Sequence, residues 1–266
     1  MINIMPKRTY YYSDPLNDDF ANTNIKTKSL PKNYKCINKN IFYQILEALL
    51  RIIVFPIVYL ILKIEYLFKI KNKKVLKQSK NKGYFIYGNH TSYLLDAYLP
   101  TLVNPFKRPY IIVNPDALSI KGLRTIVKLL GALPTPSNSK EARGFISAIN
   151  EYINKNKVIA IYPEAHIWPF YYDIRPFDSV SFHYPYDFDS NVYSMTTIYK
   201  KRKLSFIKRP KAVIYIDGPF KVNKELPKKE AIIDLRNQVY NSMKKRVLEN
   251  PQYKYYEYIY TNKDIK

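Results

Sequence analysis

His90 is one of only three histidines in the chain, with His166 and His183, and it sits where acid–base chemistry is often placed. It lies in Gly88-Asn89-His90-Thr91-Ser92-Tyr93-Leu94-Leu95-Asp96, directly after the strand-like run Tyr84–Tyr87 and ahead of a helical pattern over 92–103. α/β proteins build sites at the carboxyl ends of their strands. An imidazole there can take a proton from a hydroxyl, and a carboxylate one to two turns later can fix its tautomer and stabilise the imidazolium. Local sequence also allows a plainer reading, with Asn89 as a helix cap and His90 structural. No Gly-x-Ser-x-Gly elbow occurs. Ser92 is close, but its setting differs from that of an activated serine. His90 is therefore expected to act on a substrate hydroxyl rather than on an enzyme nucleophile.

A second polar cluster, Pro163-Glu164-Ala165-His166, follows the apolar run Val158–Tyr162. If both runs are strands of one sheet, the clusters share an edge. Glu164 can then bind a substrate hydroxyl or a basic residue, or merely favour a helix N-terminus. His166 and His90 lack tight ligand spacing such as His-Glu-x-x-His, so no metal is expected.

The elements that must position these residues alternate in type. Strand-like runs fall at Tyr84–Tyr87, Tyr110–Val113, Val158–Tyr162, Tyr193–Tyr199 and Ala212–Ile216. Helical patterns fall at 92–103, Ser119–Leu130, Ser139 to about Asn156, and Pro227–Leu248. The pattern predicts an α/β fold, with a mixed, partly parallel sheet flanked by helices. Upstream, residues 41–62 form the most apolar stretch, approaching the ~20 residues of a membrane span. Gln44, Glu47, Arg51 and Pro56 interrupt it, which favours an interfacial helix or a shallow re-entrant pair broken near Pro56. A buried core helix is the competing reading. Lys63–Lys82 follows with eight lysines and one glutamate, like a polybasic membrane anchor, although charge runs usually just face solvent. The expected organisation is a polar arm over 1–40, a membrane-docking apolar helix and polybasic segment over 41–82, a catalytic domain over 83–220, and an amphipathic helix with an irregular tail over 221–266.

Composition narrows the classes. The 266 residues are 47% hydrophobic, enough for a core, which excludes a mainly disordered chain. Six glycines exclude a collagen-like chain, and a single cysteine, Cys36, excludes an intramolecular disulfide framework. The net charge of +23 points to polyanionic partners: nucleic acid, an anionic membrane surface or phosphorylated substrates. Lys200-Lys201-Arg202-Lys203 with Lys208, Arg209 and Lys211, among many tyrosines, keeps a basic nucleic-acid-binding protein as an alternative. The charge is spread along the chain without a recognised motif, so nucleic acid is not the expected partner.

The blocks together resemble the glycerophospholipid acyltransferases of the lysophosphatidic acid acyltransferase type. Asn89–Asp96 resembles the family's first block, N-H-x-S-x-x-D, and Ile161-Tyr162-Pro163-Glu164 resembles F-P-E-G-T-R-S. Gly131-Ala132-Leu133-Pro134 and Asn191–Tyr199 fall where the second and fourth blocks fall, so the likeness covers about residues 83–220. The resemblance implies transfer of an acyl group from a thioester, acyl-CoA or acyl carrier protein, to a lysophospholipid hydroxyl, with 1-acyl-sn-glycerol-3-phosphate the first acceptor to consider. It implies no further cofactor, and a peripheral or monotopic protein on the cytoplasmic face of an anionic membrane. His90 and Asp96 would be catalytic, and Asn89, Ser92, Glu164, Arg175 and Lys140 are candidate substrate contacts. Two departures stand out. Five residues, not four, separate His90 from Asp96, which would turn Asp96 by about 100° on a regular helix. Ala165-His166-Ile167-Trp168 replaces Gly-Thr-Arg-Ser, and Ser137 stands at the second block's arginine. Arg175, ahead of Lys140 and Arg143, is the expected substitute for the missing phosphate-binding groups. A catalytically silent, lipid-binding member of the same fold is the other alternative.

Overall fold

The computed structural model describes residues 8–21, 30, 34–119, 124–203, 207, 209–251 and 253–262. In chain order the strands are β1 (Thr9–Tyr12), β2 (Lys69–Lys71), β3 (Tyr84–Gly88), β4 (Pro109–Val113), β5 (Ala132–Pro134), β6 (Val158–Ile161), β7 (Val192–Lys200), β8 (Lys211–Phe220) and β9 (Glu257–Tyr260). The helices are α1 (Ile41–Tyr66), α2 (Tyr93–Val103), α3 (Arg124–Leu129), α4 (Ser139–Asn154), α5 (His183–Asp187) and α6 (Lys228–Leu248).

Seven strands form one sheet in the order β2-β8-β7-β3-β6-β4-β5. The pairs from β7 through β5 are parallel, β7 and β8 are antiparallel, and β2 runs parallel to β8. This is the mixed, partly parallel sheet that alternation predicts. Period-two side-chain direction divides the core. Tyr84, Ile86, Val158, Ala160, Tyr193 and Met195 face one side, where Leu95, Leu99 and Leu62 pack. Phe85, Tyr87, Ile159 and Ile161 face the other, against Phe145 and Ile149 of α4 and Leu235, Val239 and Met243 of α6. Asn138 caps α4: its side chain accepts the N–H groups of Lys140 and Glu141. The helix expected over Ser119–Leu130 appears as α3, with residues 120–123 outside the described residues. Gly131 ends it at φ +105, where a Cβ would stand 2.6 Å from the Pro109 carbonyl.

α1 is one continuous helix through Pro56, not a broken pair. The Asn40 side chain caps its start, and a left-handed Leu67 stops it. The reading as a buried core helix also falls, because only Leu62 and Tyr66 are buried while Phe42, Ile52, Ile53 and Leu60 face outward. α1 is long and apolar enough to cross a membrane. Yet the same domain holds both its ends. Near the start, Glu47 pairs with Arg108, just before β4; at the end, the Tyr66 hydroxyl meets Ser92, just after β3. β3 and β4 both run parallel to β6, so α1 lies along the strands from the amino edge of the sheet to its carboxyl edge.

The sheet begins inside the lysine-rich segment, since Lys69–Lys71 is its edge strand. The tail expected to be irregular holds a strand, and its partner lies in the polar arm. β1 and β9 pair in parallel, Thr9 against Glu257 through Tyr12 against Tyr260. Tyr10, Trp168 and Tyr258 form a buried aromatic cluster beneath them, with Tyr12 and Phe20 packed on it.

Candidate active site

β3 ends at Gly88, and the chain turns through Asn89 and His90 into α2. Ser92 caps that helix, its hydroxyl accepting the Leu95 N–H. Thr91 therefore lies before the helix, and the added residue is taken up by the connection rather than by the helix. Asp96, in the first turn, points back. One carboxylate oxygen, Oδ2, accepts the backbone N–H groups of Thr91 and Ser92 at 2.8 and 2.9 Å. The same oxygen lies 2.9 Å from His90 Nδ1. An ionised carboxylate only accepts, so Nδ1 carries the proton and Nε2 is left as the base. Asp96 is buried, while the His90 side chain keeps 19% exposure, enough for a substrate to reach it.

Glu164 fixes the backbone of the base. Its Oε2 accepts the His90 N–H at 3.0 Å, and its Oε1 accepts the Arg175 N–H at 3.0 Å. The Arg175 guanidinium donates to Glu164 Oε2 at 3.2 Å and to the His166 carbonyl, and it lies over the Trp168 ring. The side chains of Arg175 and Glu164 are fully buried. Charges in that position must be paired. Glu164 thus binds a basic residue, one of the options its sequence leaves open, and the two side chains clamp the loop behind His90.

Asn89 and Ser92 are likewise occupied by the protein. The Asn89 amide donates to the Thr197 carbonyl and accepts the Thr197 N–H, tying the β3 end to β7. The Ser92 hydroxyl is 2.9 Å from the Tyr66 hydroxyl, which ties α1 to the start of α2. Lys140 is exposed on the first turn of α4. That turn follows β5, which lies three strands from β3 in the sheet order. Of the seven residues the sequence singles out, His90 and Asp96 make the chemical pair, four serve as internal ties, and Lys140 is apart.

Several residues at the site have no role in the sequence reading, even where they stand in its blocks. The Tyr162 ring stacks on the His90 imidazole at 4.7 Å and 23°, and its hydroxyl donates to the Asp96 carbonyl at 2.6 Å. Burial, and then the nearby Asp96 carboxylate, push this phenol well above its usual range. Past Glu164, Trp168 and Phe170 donate their N–H groups to the carbonyls of His90 and Thr91. The N-terminal arm covers this loop: the Trp168 indole donates to the Asp18 carbonyl at 2.7 Å, and the Phe20 N–H donates to the Ile167 carbonyl. His166 Nδ1 is 3.7 Å from Asp19 Oδ2. Three of the four residues that depart from Gly-Thr-Arg-Ser, namely His166, Ile167 and Trp168, thus make the seat for the arm. Among the described residues, no group of three or more metal-ligating side chains comes together.

Residues 68–198 match the acyltransferase family model. A solved structure, the 1-acyl-sn-glycerophosphate (LPA) acyltransferase of Thermotoga maritima, has a similar fold, with a TM-score of 0.51 over 70% of this chain and 73% of that one. The matched span, just under half of the chain, and the shared fold support the glycerophospholipid acyltransferase family for this chain. At 13% identity, the solved structure speaks for the fold alone. No curated protein matches the chain by sequence. In this acyltransferase the matched span opens at Phe68, just before β2, and closes inside β7. It therefore takes in the His90 turn, the Glu164 clamp and the strands that carry them.

Proposed function

We propose that this acyltransferase moves a fatty acyl group from a thioester, acyl-CoA or acyl carrier protein, to the free hydroxyl of a lysophospholipid, with 1-acyl-sn-glycerol-3-phosphate the first candidate acceptor. The observation that carries the reading is the 2.9 Å contact between His90 Nδ1 and Asp96 Oδ2. An alcohol is a weak nucleophile until its proton is removed. His90 Nε2 takes that proton as the oxygen attacks the thioester carbonyl, and Asp96 supports the imidazolium that forms. Collapse of the tetrahedral intermediate expels the thiolate, which takes up the proton. Such assistance is typically worth about 10²–10⁴-fold. No acyl-enzyme and no further cofactor enter this scheme. The same contact favours catalysis over a silent lipid-binding member, because the added residue leaves the pair in reach.

Monotopic attachment at the cytoplasmic face completes the reading. From Glu47 to Tyr66, α1 covers roughly 28 Å at 1.5 Å per residue, and both points are tied to one domain. A helix held along its length by a single domain lies flat in one leaflet. The net charge of +23 suits an anionic surface.

The test is acyl transfer by purified protein beside His90→Ala, with labelled acyl-CoA, an acyl carrier protein thioester and a panel of lysophospholipids. Wild type is expected to form product, and folded His90→Ala to lose at least about 10²-fold. A folded wild type that acylates no acceptor from either donor would overturn the reading.

A further inference from the structure

In a regular helix the carbonyl of each residue accepts the N–H four positions on. For Asp96 that position is Pro100, which has no N–H. The Asp96 carbonyl is buried with the rest of the residue, so water does not replace the lost donor. Tyr162 does: its hydroxyl donates to this carbonyl at 2.6 Å. The same ring lies against the face of the His90 imidazole. It reaches there over Gly88, where an added Cβ would come within 2.7 Å of Tyr162 Cε1. One side chain therefore touches both members of the pair, at the backbone of the acid and at the ring of the base.

We propose that Tyr162 is a positioning residue, which holds Asp96 and His90 in register by replacing the backbone donor that Pro100 removes and by backing the imidazole. The inference rests on the reading of His90 as the base. Burial keeps the phenol protonated, so the donor persists across the working pH range. A tyrosine that merely filled the core would matter for folding alone. A positioning tyrosine also governs the geometry in which Nε2 meets the hydroxyl, and turnover responds to that geometry more than substrate binding does.

The experiment compares wild type, Tyr162→Phe, Tyr162→Leu and the double variant Tyr162→Phe/Pro100→Ala. Steady-state acyl transfer is measured, together with the proton NMR signal of the His90 Nδ1–H. Tyr162→Phe keeps the ring and orphans the carbonyl; kcat is expected to fall about tenfold, with KM within about twofold. Pro100→Ala returns a backbone N–H to Asp96 and is expected to recover most of that loss. Tyr162→Leu also removes the stack, and is expected to lose about a hundredfold in kcat and the slowly exchanging Nδ1–H signal. Full kcat and an unchanged Nδ1–H signal in folded Tyr162→Phe and Tyr162→Leu would overturn the proposal, as would a folded double variant no better than Tyr162→Phe. Should wild type transfer no acyl group, the function reading fails by itself. The Nδ1–H signal in the two Tyr162 variants then still decides whether Tyr162 holds the pair.

Discussion

The Arg108 guanidinium grips both oxygens of Glu47 at 2.7 Å, and joins the apolar helix α1 to the amino end of β4. The two side chains keep only 10% and 12% exposure. Glu47→Gln leaves the arginine charge nearly buried and half-paired, and should cost roughly 2–3 kcal/mol of stability. Glu47→Met with Arg108→Leu removes both charges and should restore most of it. Urea unfolding in detergent measures both. A double variant weaker than Glu47→Gln would show that the pair stabilises by more than mutual neutralisation.

The other end of α1 hangs on the Tyr66–Ser92 contact. Ser92→Ala deletes this tie and the helix cap together, and should cost about 2 kcal/mol. Tyr66→Phe deletes the tie alone, for about 1 kcal/mol. In a double-mutant cycle the coupling between the two should be about 1 kcal/mol, and strict additivity would mean that the contact carries no energy.

The outward face of α1 predicts how the protein meets lipid. Ile52 and Ile53 are 69% and 61% exposed, so charges there leave the fold intact. Wild type should float with vesicles rich in anionic lipid, and Ile52→Glu/Ile53→Glu should remain in the soluble fraction. Equal flotation of the two proteins would move the membrane contact elsewhere.

Tyr87, Tyr162 and Tyr199 are buried, and burial pushes each phenol well above its ordinary value of about 10. Unfolding frees them to ionise near that value, so the unfolded state gains as protons leave. Stability should be full below about pH 10 and fall as pH rises past it. Phenolate absorbance followed against pH should show exposed tyrosines titrating first, and the buried ones appearing together with loss of helical signal. Smooth titration of every tyrosine before any unfolding would contradict the burial.

The sheet was readable from its own residues. Runs such as Tyr84–Tyr87 and Val158–Tyr162 are apolar on both faces, as strands covered by helices on both sides must be. The His90–Asp96 pair was readable as residue types, and its geometry was not. A count of residues cannot say that Ser92 starts the helix and leaves Thr91 outside it. Arg175 and Glu164 were readable as charges but not as this pair, for a related reason: two charges eleven positions apart reveal nothing of their burial against each other. Tyr162 stands in the third block, but its tie to the acid has only an indirect signal, a proline four residues after Asp96 that leaves a carbonyl without its donor. The arm and the tail were unreadable because β1 finds its partner at the other end of the chain, and no local pattern encodes a pairing of that span.

That pairing has a temporal consequence. Thr9 meets Glu257 across nearly the whole sequence, and the cluster they cover contains Trp168, whose N–H is bonded to the His90 carbonyl. A growing polypeptide can assemble strands β2 through β8 well before the residues of β9 exist. The cover over the seat behind the base is thus among the last parts of the fold to close.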